Sequence, residues 1–314
     1  MWSPSMHHRT EALFALLFLL HTTLAKRGQR IEIGNQEGGD IKQPQDEGNN
    51  VWLMLNALSS HSPFKWDRIN TTDVLYRIPY VINGLYDSEE LDIIWKAMRS
   101  IEQNTCIRFE ERKSEEDFLE LQNKIHHGCY TGVGRMRGRN VMMLEANNML
   151  TCIERDIVIH ELMHTIGLWH EHMRNDRDKY IRIRYENIAP RYRSQFDMVP
   201  EAESNTFGTN YNYRSVMHYG KKAFSKRRGL ITIETLDPVY QDVIGKARDA
   251  APSDYYKICA MYECNRCMGK PFKNVESMKQ TSSFATTKLS TKLRRSVDVT
   301  TSNDQTFRSS DPDR

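Results

Sequence analysis

The fold of this chain is decided by one continuous stretch, His160-Glu161-Leu162-Met163-His164-Thr165-Ile166-Gly167-Leu168-Trp169-His170-Glu171. His160 and His164 are four residues apart, so on a helix both side chains lie on the same face. Gly167 can adopt a left-handed backbone that ends the helix and turns the chain, which lets His170 approach from outside it. Three neutral imidazoles with one open position form a catalytic type of zinc site. We therefore expect His160, His164 and His170 to hold one zinc ion.

Two further patterns indicate chemistry at this metal. Glu161 follows the first histidine, where a glutamate of an H-E-x-x-H helix can act as a general base. Downstream lies Ser215-Val216-Met217-His218-Tyr219. Taken alone, Met217 would be a core residue and Tyr219 a half-buried aromatic. Beside the zinc pattern, they indicate a Met-turn, in which the methionine forms an apolar floor and the phenol can bind the metal or an oxyanion.

The remaining chain predicts a mixture of strands and helices. Strand composition occurs at 76–82, 107–110, 141–144 and 230–233. Helical patterns follow Asp87 and Ser88, with Leu91, Ile94, Trp95, Met98 and Ile101 on one face, and recur at 156–168 and 254–262. Residues 26–55 are polar and glycine-rich without an apolar period, so we expect an extended segment there.

The N-terminus predicts export. Arg9 precedes the apolar run Ala12 to Leu20, and Ala25 follows it, which is typical of a cleaved signal peptide over residues 1–25. The alternatives are a buried helix or a membrane anchor, but polar residues end the run well short of the ~20 apolar residues that a membrane span needs. We expect a secreted, extracellular protein with no membrane span.

The six cysteines would then enter an oxidising compartment, where six allow 15 pairings. A four-cysteine zinc site is disfavoured because only Cys264 and Cys267 have the spacing of metal ligands. Asn70-Thr71-Thr72 is a glycosylation acceptor if the chain is secreted.

The charge excludes little by itself. The net charge of +3 is too near neutral to indicate a nucleic-acid partner, and the excess lies in residues 265–314, with ten Lys or Arg against five Asp or Glu. Residues 267–314 are rich in Ser, Thr, Lys and Arg without an apolar period, so we expect a disordered basic tail.

The histidine stretch and its continuation to Tyr180 resemble the signature of the astacin family of zinc metalloendopeptidases, within the metzincin clan. Glu171 after the third histidine and Ser-x-Met-His-Tyr at 215–219 are the features that set astacins apart from other metzincins. The likeness spans about residues 57–264.

The resemblance implies an α+β fold of two lobes, with zinc at the floor of the cleft between them. The N-terminal lobe would hold a twisted sheet and the active-site helix, and the mostly irregular C-terminal lobe would end in a helix. Disulfides Cys106–Cys264 and Cys129–Cys152 are implied. Glu171 would contact the new N-terminus after activation, and the strand from Asn140 to Ala146 would be the upper cleft edge that pairs with substrate.

The resemblance also implies latency. Astacin propeptides carry an Asp in a Phe-x-Gly-Asp motif that takes the place of water on the zinc. This chain has Glu37-Gly38-Gly39-Asp40, so Asp40 is the expected switch although Glu37 replaces the phenylalanine. The expected organisation is a signal peptide at 1–25, a propeptide at 26–56, a catalytic domain at 57–266 and the tail at 267–314. Cys259 and Cys267 are extra to the family's four cysteines, and a bridge between them is an open possibility.

The function predicted is a secreted zinc endopeptidase, made as a zymogen, that hydrolyses internal bonds of proteins or peptides. Two alternatives remain at this point. One is a secreted zinc-containing module that binds proteins without cutting them, and the other is a hydrolase of a different bond that uses the same three histidines.

Overall fold

The computed structural model describes residues 28–32, 39–41, 57–70, 74–199 and 205–273. They form an α+β fold, which confirms the predicted class. The strands are β1 (Gln29–Arg30), β2 (Arg68–Asn70), β3 (Leu75–Ile82), β4 (Ile107–Glu111), β5 (Phe118–Gln122), β6 (Cys129–Tyr130), β7 (Arg139–Leu144), β8 (Leu150–Thr151), β9 (Ile181–Ile183), β10 (Ile233–Thr235), β11 (Arg266–Cys267) and β12 (Lys270–Pro271). The α-helices are α1 (Ser88–Asn104), α2 (Arg155–Ile166) and α3 (Pro252–Met261).

The largest sheet has six strands. Its path is β2-β3-β5-β7-β6, with β4 also paired to β3. The pairs β3–β4, β3–β5 and β5–β7 are parallel, whereas β2 and β6 run antiparallel to their neighbours. Buried apolar side chains from β3, β5 and β7 face the helices, as parallel strands require.

The expected cleft edge is wrong. The strand predicted for this role, 140–146, corresponds to β7, which has β5 on one side and β6 on the other. Its run Val141 to Leu144 is almost entirely buried, as is typical of a strand inside a sheet. The edge of the sheet is formed by β6 and the following Thr131, which forms a parallel bridge with Ile41.

Helix α1 begins and packs as its sequence indicates. Asp87 and Glu90 form a reciprocal capping box at its start. Ile94, Met98 and Ile101 are buried, and the helix packs against α2. The predicted face is wrong at Trp95, which is 39% exposed.

Helix α2 carries the histidines and is buried along almost its entire length. It ends at Gly167, as predicted, where φ is 127°. A Cβ at this position would lie 2.6 Å from Leu58 Cδ1, so no other residue fits without displacement. The last carbonyl groups of the helix accept hydrogen bonds from Trp66 Nε1 and Tyr262 Oη, which satisfies acceptors that a helix end leaves unpaired.

The second lobe is mostly irregular, as predicted, and has its own small core. This core contains Phe196, Tyr219, Phe224 and Ile233 among its buried members. Short 3₁₀ helices connect its loops at Glu171–Met173, Arg177–Lys179, Tyr185–Asn187, Pro190–Phe196 and Pro238–Tyr240. The strand predicted at 230–233 is displaced: β10 begins only at Ile233, where it pairs antiparallel with β9.

All six cysteines are paired. The bridges are Cys106–Cys264, Cys129–Cys152 and Cys259–Cys267. The first two are the pairs that the family resemblance implies, and the third is the possibility left open. Because Cys267 lies in the β11–β12 hairpin, regular structure extends past the predicted tail boundary at 267, to Pro271.

Several predictions fall wholly or partly outside the described residues. These are the signal peptide 1–25, much of the propeptide 26–56, and the tail beyond 273. Asn70 closes β2, but the rest of its acceptor tripeptide is outside them. Among the helices of the described ranges, none combines the length and apolar character needed to span a bilayer.

Candidate metal centre and active site

The three predicted histidines converge on one point. His164 Nε2 lies 3.0 Å from His160 Nε2 and 3.2 Å from His170 Nε2. His160 and His164 are brought together by helix α2, and His170 arrives through the turn at Gly167. All three side chains are at least 98% buried.

The hydrogen bonds of the Nδ1 atoms determine whether the converging Nε2 atoms carry a proton or a lone pair. His160 Nδ1 lies 2.8 Å from the Val216 carbonyl oxygen, and His164 Nδ1 lies 2.6 Å from that of Leu168. A carbonyl oxygen only accepts hydrogen bonds, so each Nδ1 carries the proton and each Nε2 of the neutral ring presents a lone pair. Burial and then the neighbouring His160 lower the pKa of His164 to about 3, which keeps it neutral. Lone pairs this close need a shared cation, so the donor set fits zinc.

Asp40 completes this group. It belongs to the N-terminal segment, the chain before residue 57, of which the structure describes residues 28–32 and 39–41. Its Oδ2 lies 2.9 Å from His160 Nε2, 2.8 Å from His170 Nε2 and 3.8 Å from His164 Nε2. The carboxylate is fully buried. Burial opposes its ionisation, but the interactions with His170 and the other two histidines outweigh burial, so the pKa of Asp40 lies well below its usual value. Asp40 is therefore an anionic fourth ligand in position for one metal ion with the three histidines.

The backbone around Asp40 explains how it reaches this depth. Thr131 N–H, at the sheet edge, donates to the Asp40 carbonyl oxygen at 3.0 Å. Gly39 has φ 74°, and a Cβ there would lie 2.8 Å from Gln195 Oε1. Both the backbone conformation at position 39 and the lack of space for a side chain therefore favour glycine before the aspartate. Glu37 and Gly38 lie outside the described residues.

Tyr219 is hydrogen-bonded to the second carboxylate oxygen of Asp40. Its hydroxyl donates to Asp40 Oδ1 at 2.6 Å. The ring lies against His170 and His172, with centroid distances of 4.2 Å and 4.3 Å. Burial and the charge of Asp40 raise the pKa of Tyr219 well above its usual value, so the phenol stays a hydrogen-bond donor.

Glu161 is the anomalous acid of the site. Its side chain is fully buried, and neither carboxylate oxygen has a hydrogen-bond partner among the described residues. Burial, followed by the charge of Asp40, raises its pKa well above the usual value. A buried acid without partners is costly in a folded protein and points to a role in proton transfer.

The Met-turn supports His160 from below. Met217 is 1% exposed, and its carbonyl oxygen accepts from Glu171 N–H at 2.9 Å. Asp254 of helix α3 anchors the turn: it accepts from Ser215 Oγ at 2.6 Å and from Val216 N–H at 3.1 Å. The carbonyl group of Val216 in turn orients His160. The sequence interpretation placed Asp254 at the start of a helix and missed this role, for which the chain order offers no signal.

Glu171 has partners other than the expected one. Its carboxylate contacts the buried Lys257 ammonium, and it accepts from Arg174 Nη1 at 3.1 Å and from Asn212 N–H at 2.9 Å. Burial opposes ionisation, but the charges of Lys257 and Arg174 outweigh it, so the pKa of Glu171 is lowered. In this state of the chain the carboxylate is neutralised without an N-terminal amine, and the expected contact with a new N-terminus stays a prediction.

Comparison with known proteins identifies the family. The sequence model described as Astacin (Peptidase family M12A) matches residues 67–263. The chain belongs to the astacin family. Zinc metalloproteinase nas-5 of Caenorhabditis elegans is 42% identical over 275 residues, which are 84% of this chain and 76% of nas-5. Low choriolytic enzyme of Oryzias latipes is 32% identical over 228 residues, which are 72% of this chain and 77% of that enzyme.

A solved astacin-type structure agrees with the fold. High choriolytic enzyme 1, a hatching enzyme zinc-protease from Oryzias latipes, superposes with a TM-score of 0.59 at 35% identity, covering 65% of this chain and 96% of that one. Some astacin relatives are longer: the chain covers 52% of zinc metalloproteinase nas-6 of Caenorhabditis elegans. As an astacin, the chain is a zinc metalloendopeptidase whose substrates are peptides or proteins.

Proposed function

We propose that this astacin is a secreted endopeptidase made in a latent form, in which Asp40 occupies the metal until the N-terminal segment is removed. The single observation that carries the proposal is the position of the Asp40 carboxylate between His160 Nε2 and His170 Nε2. A carboxylate is a competent zinc ligand, and one in this position fills the place that a catalytic site keeps open for water or substrate.

The active form would follow once Asp40 leaves. A bound zinc ion supplies an activated water and polarises the carbonyl group of the scissile bond. Glu161, which follows His160 directly in the chain, then accepts a proton from the attacking water and passes it to the departing amine. The Tyr219 hydroxyl, released from Asp40, donates a hydrogen bond to the oxygen on which negative charge develops, a contribution typically worth ~3 kcal/mol.

Substrate would lie along the sheet edge formed by β6 and Thr131. In the described state the edge residue Thr131 pairs with Ile41 of the N-terminal segment. Removal of that segment leaves the Thr131 backbone groups free to pair with an extended peptide by strand addition. The N-terminal segment therefore blocks both the metal and the substrate edge.

Export is supported by the signal-peptide pattern at 1–25 and by the three disulfides, since such bridges persist in oxidising compartments. It also makes Asn70 available as a glycosylation acceptor. The non-catalytic alternative is disfavoured because the proton-transfer acid, the three histidines and the phenol are all present in one buried cluster.

The test uses the whole chain expressed in a secreting cell. We expect it in the medium, without residues 1–25 and without activity on an unstructured protein such as casein. Limited proteolysis between residues 41 and 57 should start hydrolysis, and a strong chelator should stop it until zinc is restored. Trimmed, zinc-loaded protein that still cuts nothing would contradict the catalytic proposal, and an untrimmed chain of full activity would contradict latency.

A further inference from the structure

A charged cavity lies beside the metal site and is filled from the N-terminal segment. Arg30 enters it and forms a two-pronged ion pair with Asp156: Nη1 lies 2.7 Å from Oδ1 and Nη2 lies 2.6 Å from Oδ2. Metal-site residues His160 and Tyr219 form part of the cavity wall. A side chain in this cavity is therefore next to the bond-cleaving groups.

The backbone holds Arg30 in register. The adjacent Gln29 N–H donates to the Met149 carbonyl oxygen at 2.7 Å, and Ile31 N–H donates to that of Thr151 at 3.0 Å. These bonds make strand β1 a parallel neighbour of β8. The N-terminal segment therefore binds here by strand pairing plus one inserted side chain, which is also how extended peptides are recognised.

Two glycines form part of the cavity wall. Gly220 follows Tyr219, and Gly245 packs directly on it, since a Cβ on Gly245 would lie 2.3 Å from Gly220 Cα. Because these two residues have no side chains, they leave room for a long side chain that reaches Asp156. Asp156 lies in the first turn of helix α2 and is 5% exposed, so its carboxylate is the charged group at the inner end.

The charges favour a cation. Glu32 and Glu154 add to the attraction that Asp156 exerts on Arg30. The opposing charge is Arg248, whose Nη1 lies 3.7 Å from Asp156 Oδ2 and whose side chain is 73% exposed. When the N-terminal segment leaves, Arg30 and Glu32 leave with it. Two carboxylates, Asp156 and Glu154, then remain against one solvent-exposed guanidinium.

We propose that Asp156 is a specificity-determining residue that selects an arginine side chain next to the scissile bond of the substrate, and that Arg30 fills this subsite in the latent chain. The inference rests on the proposed function, because the subsite opens only when the segment is removed. A buried carboxylate that loses its partner is destabilised, so a substrate guanidinium regains what Arg30 provided. Arginine is favoured over lysine because two carboxylate oxygens face two guanidinium nitrogens.

The first test measures selectivity in the trimmed, zinc-loaded enzyme. A peptide library should show arginine enriched at one position flanking the cleaved bond. For matched peptides with Arg, Lys or Gln there, we expect kcat/KM for Arg to exceed that for Gln by about tenfold or more, with Lys between them. Asp156→Asn should bring the Arg/Gln ratio close to one. Arg248→Gln, which removes the competing cation, should raise the ratio.

Controls separate this outcome from others. Asp249→Asn changes a nearby exposed carboxylate and should keep the Arg/Gln ratio. Equal cleavage of Arg and Gln peptides by the unchanged enzyme would overturn the proposal, as would an Asp156→Asn enzyme that loses activity on both with an unchanged ratio. Absence of cleavage of every peptide would instead count against the proposed function.

A second test needs no turnover. Trimmed Glu161→Gln enzyme is titrated with a synthetic peptide of residues 26–41 and with its Arg30→Gln version. We expect the substitution to weaken binding by about tenfold or more when Asp156 is present, and to have little effect on the additional Asp156→Asn variant. Equal affinities of the two peptides for the enzyme that retains Asp156 would overturn the assignment.

Discussion

Tyr219 donates its phenolic hydrogen to Asp40 at 2.6 Å, although the two residues are 179 positions apart in the chain. The other oxygen of the same carboxylate lies among the three histidines. The Asp40 side chain therefore contacts both the histidines and the proposed oxyanion donor. In the proposed latent form, a single carboxylate therefore holds both groups.

The first prediction concerns that carboxylate. Asp40→Ala in the full-length chain should release activity before any cleavage, because the metal would gain an open position while the segment still lies in the cleft. The measurement is peptide hydrolysis by the uncut chain, with its integrity checked by mass spectrometry. Gln29→Ala, which changes an exposed side chain of the same segment, is the control. If Asp40→Ala stays as silent as the unchanged chain, steric blocking by the segment is the better explanation.

The second prediction concerns Glu161. Because its carboxylate has no hydrogen-bond partner within the part of the chain that the structure describes, Glu161→Gln should leave folding and zinc content intact. Turnover by the trimmed enzyme should fall by about 10²- to 10⁴-fold, the usual range for loss of a general base. Elemental analysis and kcat on one peptide give the two readouts, and Glu89→Gln on helix α1 serves as the control. Activity that survives the substitution would assign proton transfer to another residue.

The third prediction concerns Asp254, which holds the Met-turn and through Val216 orients His160. Asp254→Asn removes the negative charge and one of the two oxygens that accept from Ser215 Oγ and from backbone N–H groups. Zinc affinity, measured by competition with a chelator, should fall by about 10- to 100-fold, as is usual when a group supporting a ligand is removed. The control is Asp249→Asn, which changes an exposed, ion-paired carboxylate just before helix α3. Unchanged zinc affinity in Asp254→Asn would show that the Met-turn keeps its conformation without the Asp254 carboxylate.

The fourth prediction concerns the buried pair of Glu171 and Lys257. Lys257→Met leaves Glu171 with only Arg174 as a charged partner, and breaking a buried pair typically costs ~3–5 kcal/mol. Denaturant unfolding of the full-length chain is the measurement. Lys96→Met, which removes an exposed pair with Asp92, should cost less than ~1 kcal/mol. Equal effects of the two substitutions would mean that Arg174 alone neutralises Glu171.

The convergence of the three histidines could be predicted from the sequence because their geometry is set locally. The i, i+4 spacing of His160 and His164 and the glycine turn before His170 fix three imidazoles within eleven residues. Strand β5 shows the opposite case. Its sequence, Phe118 to Gln122, looks too polar for the middle of a sheet, and the sequence interpretation missed it.

The structure explains the missing signal in β5. Glu120 accepts from Gln122 Nε2 at 2.6 Å and from Asn83 Nδ2 at 2.9 Å, so polar residues can be buried there once they have partners. Similarly, the strand at 140–146 carries nothing in its own residues that says which strand lies beside it. Edge position and polar pairing depend on contacts between distant segments, as does the pair of Arg30 and Asp156.

The bridge between Cys106 and Cys264 affects how the protein responds to cleavage of its own backbone. It encloses the chain from just before β4 to just after helix α3 in one covalent loop with a sequence separation of 158. A backbone cut anywhere between these cysteines would leave two pieces tied together, and they would separate only under reduction. A cut between residues 42 and 56 falls outside every bridge, so the piece before it is free to diffuse away. The covalent map therefore lets proteolysis discard the N-terminal segment, while a single nick between Cys106 and Cys264 does not release a fragment.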